Sequence, residues 1–577
     1  MKRRWGMLES FFPGAVVTGP GGQRAHHALQ AQSERLGERL YTVGPDAWCY
    51  VGNGLSNQTF VRGPEGIIVI DTGECVEEME AALAAFRAVC ADPIVACIYS
   101  HFHYIGGTTA LLRENPELIL WGHAGIPGNL RRFSGEVGPR GSRGLAHQFG
   151  VLLPEEGEDG LVNVGLGRFF RNPSHAPFTP GYVPAQHEFD EPTEITLAGL
   201  PVTLLPAPSD ATDSITIWFP SLRLAVNNLL WPALFNVFAI RGEEYRDPRI
   251  LLTGLDQLRD LGASYLAGAH GPPLEGVSLI AETAERYRDA IQFLWDQTVR
   301  LANKGLSPRE AIATLHWPEA YSAHYTTEQL YGLAEHHVRQ IYVGLFGWFD
   351  EQEDQLLPLP PAERVKRLVQ GFGGLEAVRG ALDKALAAQD YRWALELGTW
   401  LVRGEVQADG RCDGGAPEDR QRLAQALRGV AQATPSANVR NWALTRALEL
   451  EGQLDLSRFR RHRFQAKAVA SAPAEAVKLL RVLLLPEQVY EAGTLIFDFG
   501  AQGRASLTVR RGVAVPGQKP DGDLTLSLSG DTWGALLAGK LSLGEALATG
   551  VATASDAARV QAFLGAFELP AFAAEGR

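Results

Sequence analysis

Residues 93–107, with the sequence PIVACIYSHFHYIGG, decide the fold of this chain. The apolar residues 93–99 predict a buried strand, and the chain then runs directly into His101 and His103. Side chains just past the carboxyl end of a strand often build sites of chemistry. Two histidines separated by one residue in such a loop can direct both imidazoles to one point, a common arrangement for two nitrogen ligands of zinc.

The segments around this loop alternate between strands and helices. Residues 66–73, GIIVIDTG, predict a buried strand that ends in a turn, and residues 77–90 predict an amphipathic helix. The alternation continues from residue 40 to about residue 276, which predicts an α/β layer architecture. Within it, residues 266–273, LAGAHGPP, run from a strand into a Gly/Pro turn that exposes His270 at the same edge. His270 is therefore the best candidate for a third metal ligand.

The composition predicts a soluble protein with several domains. A chain of 577 residues exceeds what one hydrophobic core supports, so two or three domains are expected. Hydrophobic residues make up 45% and charged residues 21%, and no run approaches the roughly 20 apolar residues that a membrane helix needs. The net charge of -13 argues against a nucleic-acid binder, because phosphate recognition relies on clustered Lys and Arg. We expect neither a nucleic-acid partner nor an integral membrane segment.

The N-terminus and the cysteines predict a cytoplasmic location. Residues 1–5, MKRRW, have the basic character of a signal peptide, but Glu9 and Pro13 interrupt any apolar core behind them, so export is not expected. The five cysteines have irregular spacings and no CxxC pair, which indicates neither a disulfide framework nor a thiolate zinc site. This pattern fits a reducing compartment.

The division of the chain follows from changes in its hydrophobic pattern. After residue 280 the pattern becomes helical, with long segments at 285–304 and 375–403. The final part predicts a small α+β domain, with strands at 505–510 and 523–528 and helices at 533–538 and 557–567. The predicted parts are an N-terminal extension (1–39), an α/β catalytic domain (40–280), a helical domain (281–455) and the α+β domain (463–577).

In its histidine loop the chain resembles the metallo-β-lactamase superfamily, and specifically the alkylsulfatase branch. The pattern of that branch is HxHxDHxGG, whereas residues 101–107 read HFHYIGG. The simplest alignment removes two residues, so the Asp and the third His that hold the second metal in the family are absent. The resemblance implies an αββα sandwich followed by an all-α dimerisation domain and a small α+β sterol-carrier-like domain. Its other motifs include LSNQTF (55–60), GLG (165–167), DQT (296–298), LAN (301–303), GWFD (347–350) and DYRWA (390–394).

The resemblance also implies which residues complete the metal site. Two glutamates do so in the family, and the first corresponds here to Asp210, in the turn APSDATD at residues 207–213. A turn aspartate that bonds its own backbone is the alternative for Asp210. The second glutamate corresponds to Asn227, a neutral amide in place of a bridging carboxylate. Ala269 precedes His270, where the family commonly has a second histidine, so another residue must supply the acid.

The expected metal centre is mononuclear. Ligands of the second ion are changed together, whereas the three histidines are retained. We expect His101, His103 and His270 to bind one ion, with Asp210 or water as the fourth ligand. Zinc is the first choice, and iron and manganese also accept such ligands.

The resemblance implies hydrolysis of an alkyl sulfate ester or a related anionic amphiphile by a homodimer. Arg241 and Asn236 correspond to residues that hold the sulfate group in the family, with a structural ion pair as the alternative for Arg241. Tyr104 and Asp210 are the candidate catalytic residues, although Tyr104 can instead be a packed aromatic residue. Two other functions stay open. They are hydrolysis of a different ester, amide or phosphoester by the same fold, and non-catalytic binding of a lipid-like molecule.

Overall fold

The computed structural model describes residue 8 and residues 10–243, 245–322, 324–489, 492–517 and 521–572. The basic residues 1–5, which resemble the start of a signal peptide, lie outside the described residues. The chain divides into two compact units. The first unit comprises residues 1–131 and 141–456, and the second comprises residues 132–140 and 457–577.

The N-terminal extension is structured where it is described. It forms a short antiparallel hairpin and one helix, which are β1 (Val16–Thr18), β2 (Arg24–His26) and α1 (His27–Arg35). The buried Leu29 and Gln32 of α1 face the rest of the first unit. The Gln32 amide donates to the carbonyl oxygens of Gly165 and Pro232. The extension therefore packs as part of the first unit.

The first sheet contains the strand that leads into the two histidines. Its strands are β3 (Arg39–Thr42), β4 (Ala47–Val51), β5 (Gln58–Gly63), β6 (Gly66–Ile70), β7 (Ile94–Ile98), β8 (Ile119–His123) and β9 (His187–Phe189). They lie side by side in that order, antiparallel from β3 to β6 and parallel from β6 to β9. Every residue of β6 is buried, as expected of a strand covered on both faces.

Four helices are inserted among these strands. They are α2 (Val76–Arg87), α3 (Thr108–Glu114), α4 (Ile126–Ser134) and α5 (Gly138–Gln148). In α2 the residues Val76, Met79, Leu83 and Phe86 recur at helical spacing and pack against one face of the first sheet. The predicted helix at 77–90 is thus present, with both ends shifted toward the N-terminus.

The second sheet packs on the other face of the first. Its strands are β10 (Thr193–Leu197), β11 (Leu200–Pro206), β12 (Ile215–Phe219), β13 (Leu224–Asn227), β14 (Tyr265–Gly268) and β15 (Leu274–Glu275). Helix α6 (Pro248–Asp260) lies between β13 and β14 in the chain, and α7 (Val277–Ala302) follows β15. Only the β13–β14 pair is parallel among the described pairs of this sheet. One apolar core joins the two sheets, and a second lies between the second sheet and α6 and α7. The layers therefore run helix, sheet, sheet, helix, as predicted.

The rest of the first unit is helical. It consists of α8 (Pro308–Thr314), α9 (Glu319–Ser322), α10 (Ala334–Phe346), α11 (Glu353–Leu356), α12 (Pro361–Phe372), α13 (Leu375–Ala387), α14 (Tyr391–Arg403), α15 (Pro417–Ala433) and α16 (Ala437–Leu450). The predicted continuous helical segment at 375–403 is broken, because Gln389 has φ of +57° and the Asp390 side chain caps a new helix. In the part of the chain that the structure describes, no helix is both long and apolar enough to cross a membrane.

The second unit is a small α+β structure. Its elements are α17 (Ala466–Ser471), α18 (Pro473–Leu479), β16 (Gly493–Asp498), β17 (Arg504–Arg510), β18 (Val513–Gly517), β19 (Leu524–Leu528), α19 (Gly530–Leu537), α20 (Leu543–Ala548), β20 (Ala552–Ala554) and α21 (Ala557–Leu564). The sheet order is β18-β17-β16-β19-β20, and its core includes the buried Phe497, Trp533 and Leu564. The four predicted elements of this part are present with small shifts at their ends. Its likeness to a sterol carrier stays a prediction.

Candidate metal centre

The candidate centre lies where parallel strands of the two sheets end together. His101 follows β7, Asp71 follows the neighbouring β6, and His270 follows β14. The backbone N–H of Ile215 at the start of β12 donates to the Ser100 carbonyl oxygen at 3.0 Å, which joins the sheets beside the histidine loop. Parallel strand ends meet at one edge of each sheet, so residues distant in sequence converge here.

Three of the predicted ligands form one cluster. One ligand atom from each of His101, His103 and Asp210 lies within 4.8 Å of the others. The His103 Nδ1 atom is 3.2 Å from the Asp210 Oδ2 atom. The turn after β11 thus brings the Asp210 carboxylate to the two histidines. The side chain faces the histidines, whereas an aspartate serving only its own turn would face its own backbone.

Hydrogen bonds on the far side of His101 orient its ring. The Ser100 hydroxyl donates to the Asp71 Oδ2 atom at 2.5 Å, and its oxygen lies 2.8 Å from the His101 Nδ1 atom. The hydroxyl hydrogen is already used, so the Ser100 oxygen accepts the Nδ1 proton of His101. The Nε2 lone pair of His101 is then turned toward the cluster. Partners of this kind behind a ligand fix its tautomer and support metal binding.

His270 is oriented in the same way but stands apart from the cluster. Its Nδ1 atom is 2.9 Å from the Leu55 carbonyl oxygen, which accepts the ring proton and leaves Nε2 as the acceptor. The Nε2 atom lies 3.3 Å from the Tyr104 hydroxyl. Tyr104 therefore occupies the space between His270 and the other histidines, and it is a buried residue in contact with three predicted ligands.

Burial sets the protonation of the cluster. It lowers the pKa of His101 to about 3 and the pKa of His270 to about 4, so both rings are neutral at neutral pH. Burial alone raises the pKa of Asp210, but the charge and hydrogen bond of His103 outweigh it and hold that pKa well below its usual range. A neutral His101 imidazole and an ionised Asp210 carboxylate are ligands that a zinc-class cation accepts, so the residues present fit a metal.

The amide that faces the cluster belongs to Asn228. The correspondence of Asn227 to the family's second glutamate stays a prediction. The Asn228 Nδ2 atom donates to the Asp210 Oδ1 atom at 2.7 Å and lies 3.2 Å from the His101 Nε2 atom. The Trp231 indole donates to the Asn228 Oδ1 atom at 3.0 Å. An indole is only a donor, so this bond fixes the orientation of the amide. Asn228 therefore presents an N–H group, and not an oxygen, to the metal centre.

The predicted sulfate-holding residues have different environments. Arg241 is buried and forms an ion pair with Glu243, which also pairs with Arg246. Arg241 also hydrogen-bonds Tyr331, a neighbour of the centre that contacts Trp231. Arg241 is thus ion-paired and lies near the centre, and its contact with a sulfate group stays a prediction.

Asn236 is fully buried, and its side-chain oxygen lies against Gly332, where an added Cβ would be only 2.7 Å away. Neither polar atom of the Asn236 amide has a hydrogen-bond partner among the described residues. The backbone carbonyl oxygen of Asn236 accepts from Arg246 at 2.7 Å. Asn236 therefore contacts Arg246, which also pairs with Glu243. Among the described residues, the Asn236 amide forms no hydrogen bond with a ligand of the cluster.

Sequence reasoning missed the supporting residues around the ligands. Asp71, Ser100, Asn228 and Glu243 were not predicted as part of the site. Two of them carried a usable signal, because Asp71 ends a buried strand in the DTG turn and Ser100 directly precedes the histidine pair. The positions of Asn228 and Glu243 depend on how loops fold over the centre, which no local pattern indicates.

Comparison with known proteins agrees with this geometry. Residues 51–226 match the metallo-beta-lactamase superfamily, and residues 307–453 match the alkyl sulfatase dimerisation family. The chain is 34% identical over 405 residues to a linear primary-alkylsulfatase of Pseudomonas sp., which covers 68% of this chain and 74% of that protein. It is 28% identical over 547 residues to an (R)-specific secondary-alkylsulfatase of Pseudomonas sp., which covers 91% of this chain and 80% of that one.

A solved structure gives the same fold. The stereoselective inverting sec-alkylsulfatase Pisa1 of Pseudomonas sp. superimposes with a TM-score of 0.80 at 24% identity, covering 98% of this chain and 92% of that chain. The predicted sandwich and the helical dimerisation domain behind it are confirmed. Taken with the identity to the primary-alkylsulfatase, these matches show that the chain belongs to the alkylsulfatases of the metallo-β-lactamase superfamily.

Proposed function

We propose that this chain is a metal-dependent hydrolase of alkyl sulfate esters. The observation that carries the proposal is the buried cluster of His101, His103 and Asp210, formed at the strand ends of a chain that belongs to the alkylsulfatases. Its curated relatives are described as alkylsulfatases for primary or secondary alkyl chains. The substrate class follows from this kinship together with a buried arginine beside the centre.

We propose one metal ion at this centre, held by His101, His103 and Asp210. Zinc is the first choice for two imidazoles and a carboxylate, with iron and manganese as alternatives. When bound, such an ion supplies Lewis acidity that polarises an ester oxygen and promotes the ionisation of water. Asn228 favours a single ion, because it turns a hydrogen-bond donor toward the centre and not a carboxylate that could bridge two ions.

The chain's own residues have separate functions in this proposal. Arg241 binds the anionic sulfate group through its forked guanidinium and shares its charge between the substrate and Glu243. Tyr104 donates its proton to the alkoxide oxygen as the bond between that oxygen and sulfur breaks and the oxygen of water bonds to sulfur, and the proton that the water loses restores the Tyr104 hydroxyl. Burial raises the pKa of Tyr104 well above its ordinary value, so the hydroxyl keeps its proton at neutral pH. Asp210 remains ionised beside His103 and keeps the ligand set anionic.

A second candidate function is hydrolysis of a different ester by the same centre. The Glu243 carboxylate, itself an anion, already pairs with Arg241 and Arg246. An arginine that binds only a sulfate group would have no carboxylate partner in the protein, whereas Arg241 has one. A carboxylate or phosphate ester that shares these arginines is therefore the alternative substrate.

The test measures sulfate release from octyl sulfate by purified protein, in parallel with octyl phosphate and octyl acetate. We expect sulfate release that a chelator abolishes, that added zinc restores, and that falls more than about 100-fold in His103→Ala. His187→Ala, which changes an exposed histidine on β9, is the matched control and keeps full activity. Hydrolysis of only the phosphate or acetate ester would support the second candidate function in place of the first. Hydrolysis of none of the three esters would refute both candidate functions.

We also propose a homodimer formed through the helical domain. Residues 343–375 expose an unusual run of large apolar side chains, which are Val343, Phe346, Trp348, Leu356, Leu357, Leu359, Phe372 and Leu375. They lie within the segment that matches the alkyl sulfatase dimerisation family. The double variant Trp348→Asp with Leu357→Asp is expected to sediment as a monomer, whereas the wild-type chain sediments as a dimer. A wild-type monomer contradicts this proposal.

We propose a cytoplasmic location, because all five cysteines are unpaired and four of them are buried.

For the second unit we propose the binding of an alkyl chain by a sterol-carrier-like domain. The indole N–H of the buried Trp533 in its core has no hydrogen-bond partner among the described residues. Quenching or shift of tryptophan fluorescence by octyl sulfate, lost in Trp533→Phe, tests that binding.

A further inference from the structure

A second cluster of metal-ligating side chains lies outside the centre described above. One ligand atom from each of Cys75, Glu78 and His175 lies within 4.8 Å of the others, and the three residues are only 2%, 1% and 5% exposed. Cys75 precedes the first residue of α2 and Glu78 lies in its first turn. His175 ends the short 3-10 turn Pro173–His175, about 100 residues later in the chain. The cluster shares no residue with the first centre.

The polar groups of this cluster are incompletely satisfied. The Nδ1 atom of His175 is buried and has no hydrogen-bond partner among the residues that the structure describes. The Glu78 carboxylate accepts from the Gln58 amide and from the Glu74 backbone N–H, each at 3.1 Å, and both of these donors are neutral. A buried ring nitrogen without a partner and a buried carboxylate held by neutral donors each cost free energy, unless a cation or a further hydrogen-bond partner compensates them.

The donor types identify the cation that fits. A thiolate, a carboxylate and an imidazole are together typical ligands of zinc, whereas magnesium and calcium take oxygen ligands. The charges also balance, because a divalent ion neutralises one thiolate and one carboxylate in a buried site. We propose that Cys75, Glu78 and His175 bind a second divalent transition-metal ion, with zinc as the first choice. The Glu77 side chain hydrogen-bonds Cys75 and therefore lies beside this cluster.

This site would hold the segment before α2 against the turn that contains His175. The same segment supports the first centre, since the Thr72 N–H donates to the Tyr104 carbonyl oxygen and the Gly106 N–H donates to the Gly73 carbonyl oxygen, each at 2.8 Å. Burial raises the pKa of the Cys75 thiol to about 11, so the thiol is protonated without a metal. Uptake of the ion at neutral pH therefore releases that proton.

Cobalt substitution tests the proposal without reference to catalysis. A thiolate bound to Co²⁺ gives a charge-transfer band in the near ultraviolet, and the His101, His103 and Asp210 cluster has no thiolate with which to produce one. The full chain, stripped with chelator and reloaded with Co²⁺, is expected to show this band and to bind two ions. Cys75→Ser is expected to lose the band and one ion, whereas His103→Ala keeps the band and loses the other ion.

Two further variants keep the test decisive. Cys412→Ser changes a cysteine outside the cluster and is expected to leave the band and the metal content unchanged. His175→Gln is expected to remove one ion and weaken the band, and it serves if Cys75→Ser does not fold. An absent band in the cobalt-loaded wild type, or a band that survives both Cys75→Ser and His175→Gln, overturns the proposal. Sulfate release has no part in this readout, so the hydrolase proposal stands or falls separately.

Discussion

Substitution of Asn228 by aspartate tests the metal centre through electrostatics. The change keeps the size and shape of the side chain but replaces the N–H group that faces Asp210 with an oxygen that carries negative charge. In the chelated protein, two carboxylate oxygens then meet at the present 2.7 Å separation of the Asn228 Nδ2 and Asp210 Oδ1 atoms. In the metal-loaded protein, the same oxygen faces a cation. The variant is therefore expected to be destabilised without metal and restored by it.

The magnitude follows from the separation of the two charges. At 2.7 Å and an effective dielectric constant of about 20, repulsion between unit charges is about 6 kcal/mol. Protonation of one carboxylate limits this cost, because raising a pKa from about 3.9 to 7 takes about 4 kcal/mol at about 1.4 kcal/mol per pKa unit. A unit as large as the first one loses about 1 °C in Tm per kcal/mol. We expect the chelated variant to unfold about 4 °C below the chelated wild type.

The assay compares thermal unfolding with chelator and with excess zinc. In Asn228→Asp, zinc is expected to raise the Tm by about 3 to 4 °C more than it does in the wild type. The matched control is Asn227→Asp, which also buries a new carboxylate, but at a residue whose Oδ1 atom accepts from the Leu229 N–H. Its zinc response is expected to equal that of the wild type. Equal zinc responses of the two variants would refute the placement of the metal beside Asn228.

Three other predictions concern catalysis and stability. Tyr104→Phe removes the hydroxyl beside His270 and is expected to lower kcat about 100-fold or more with unchanged metal content and a similar KM, measured by sulfate release and elemental analysis. Arg241→Lys replaces a forked contact with a point charge and is expected to lower kcat/KM about 10- to 100-fold, mainly through KM, in the same assay. Burial lowers the pKa of His337 to about 3, so the folded protein favours the neutral ring. The contribution of this residue to the free energy of unfolding is therefore complete above about pH 6.5, and up to about 5 kcal/mol of it is lost as the pH falls toward 3. His337→Gln is expected to flatten this acid limb in unfolding midpoints measured from pH 7 to pH 4, and an unchanged slope contradicts the assignment.

The layers of the first unit are predictable because their signals are local. Strands such as β6 and β7 are short apolar runs that end in turns, and α2 shows helical spacing of its apolar face. The break between α13 and α14 is not predictable in this way. It depends on a positive φ at Gln389, a conformation that glutamine seldom adopts and that accompanies a hydrogen bond from the Asp390 N–H to the Ala385 carbonyl oxygen at 2.9 Å.

The ligands were easier to predict than the residues that support them. His101 and His103 are separated by one residue and follow one strand, so a local pattern is sufficient to select them. The choice between Asn227 and Asn228 depends on which side of β13 faces the centre. Successive side chains of an extended chain point to opposite faces, but Asn227 at the end of β13 and Asn228 just past it are both buried, so burial does not distinguish the two. The partners of Arg241 likewise depend on loop folding.

The same limit applies to the second cluster. The spacing of the cysteines predicts no thiolate metal site. The proposed ligands Cys75 and Glu78 are close in sequence, but the third ligand, His175, comes from a distant turn. One thiolate with ligands of other types leaves no repeated cysteine spacing for sequence analysis to detect. Only the fold brings the three side chains together.

The central claim, a single catalytic ion at His101, His103 and Asp210, is tested most directly by titrating chelated protein with zinc while following octyl sulfate hydrolysis. The Cys75→Ser variant is the protein of choice, because the proposed second site is then removed. We expect bound zinc and activity to rise together and to reach a plateau at one ion per chain. Activity that appears only at two ions per chain, or full activity without bound metal, would contradict the account.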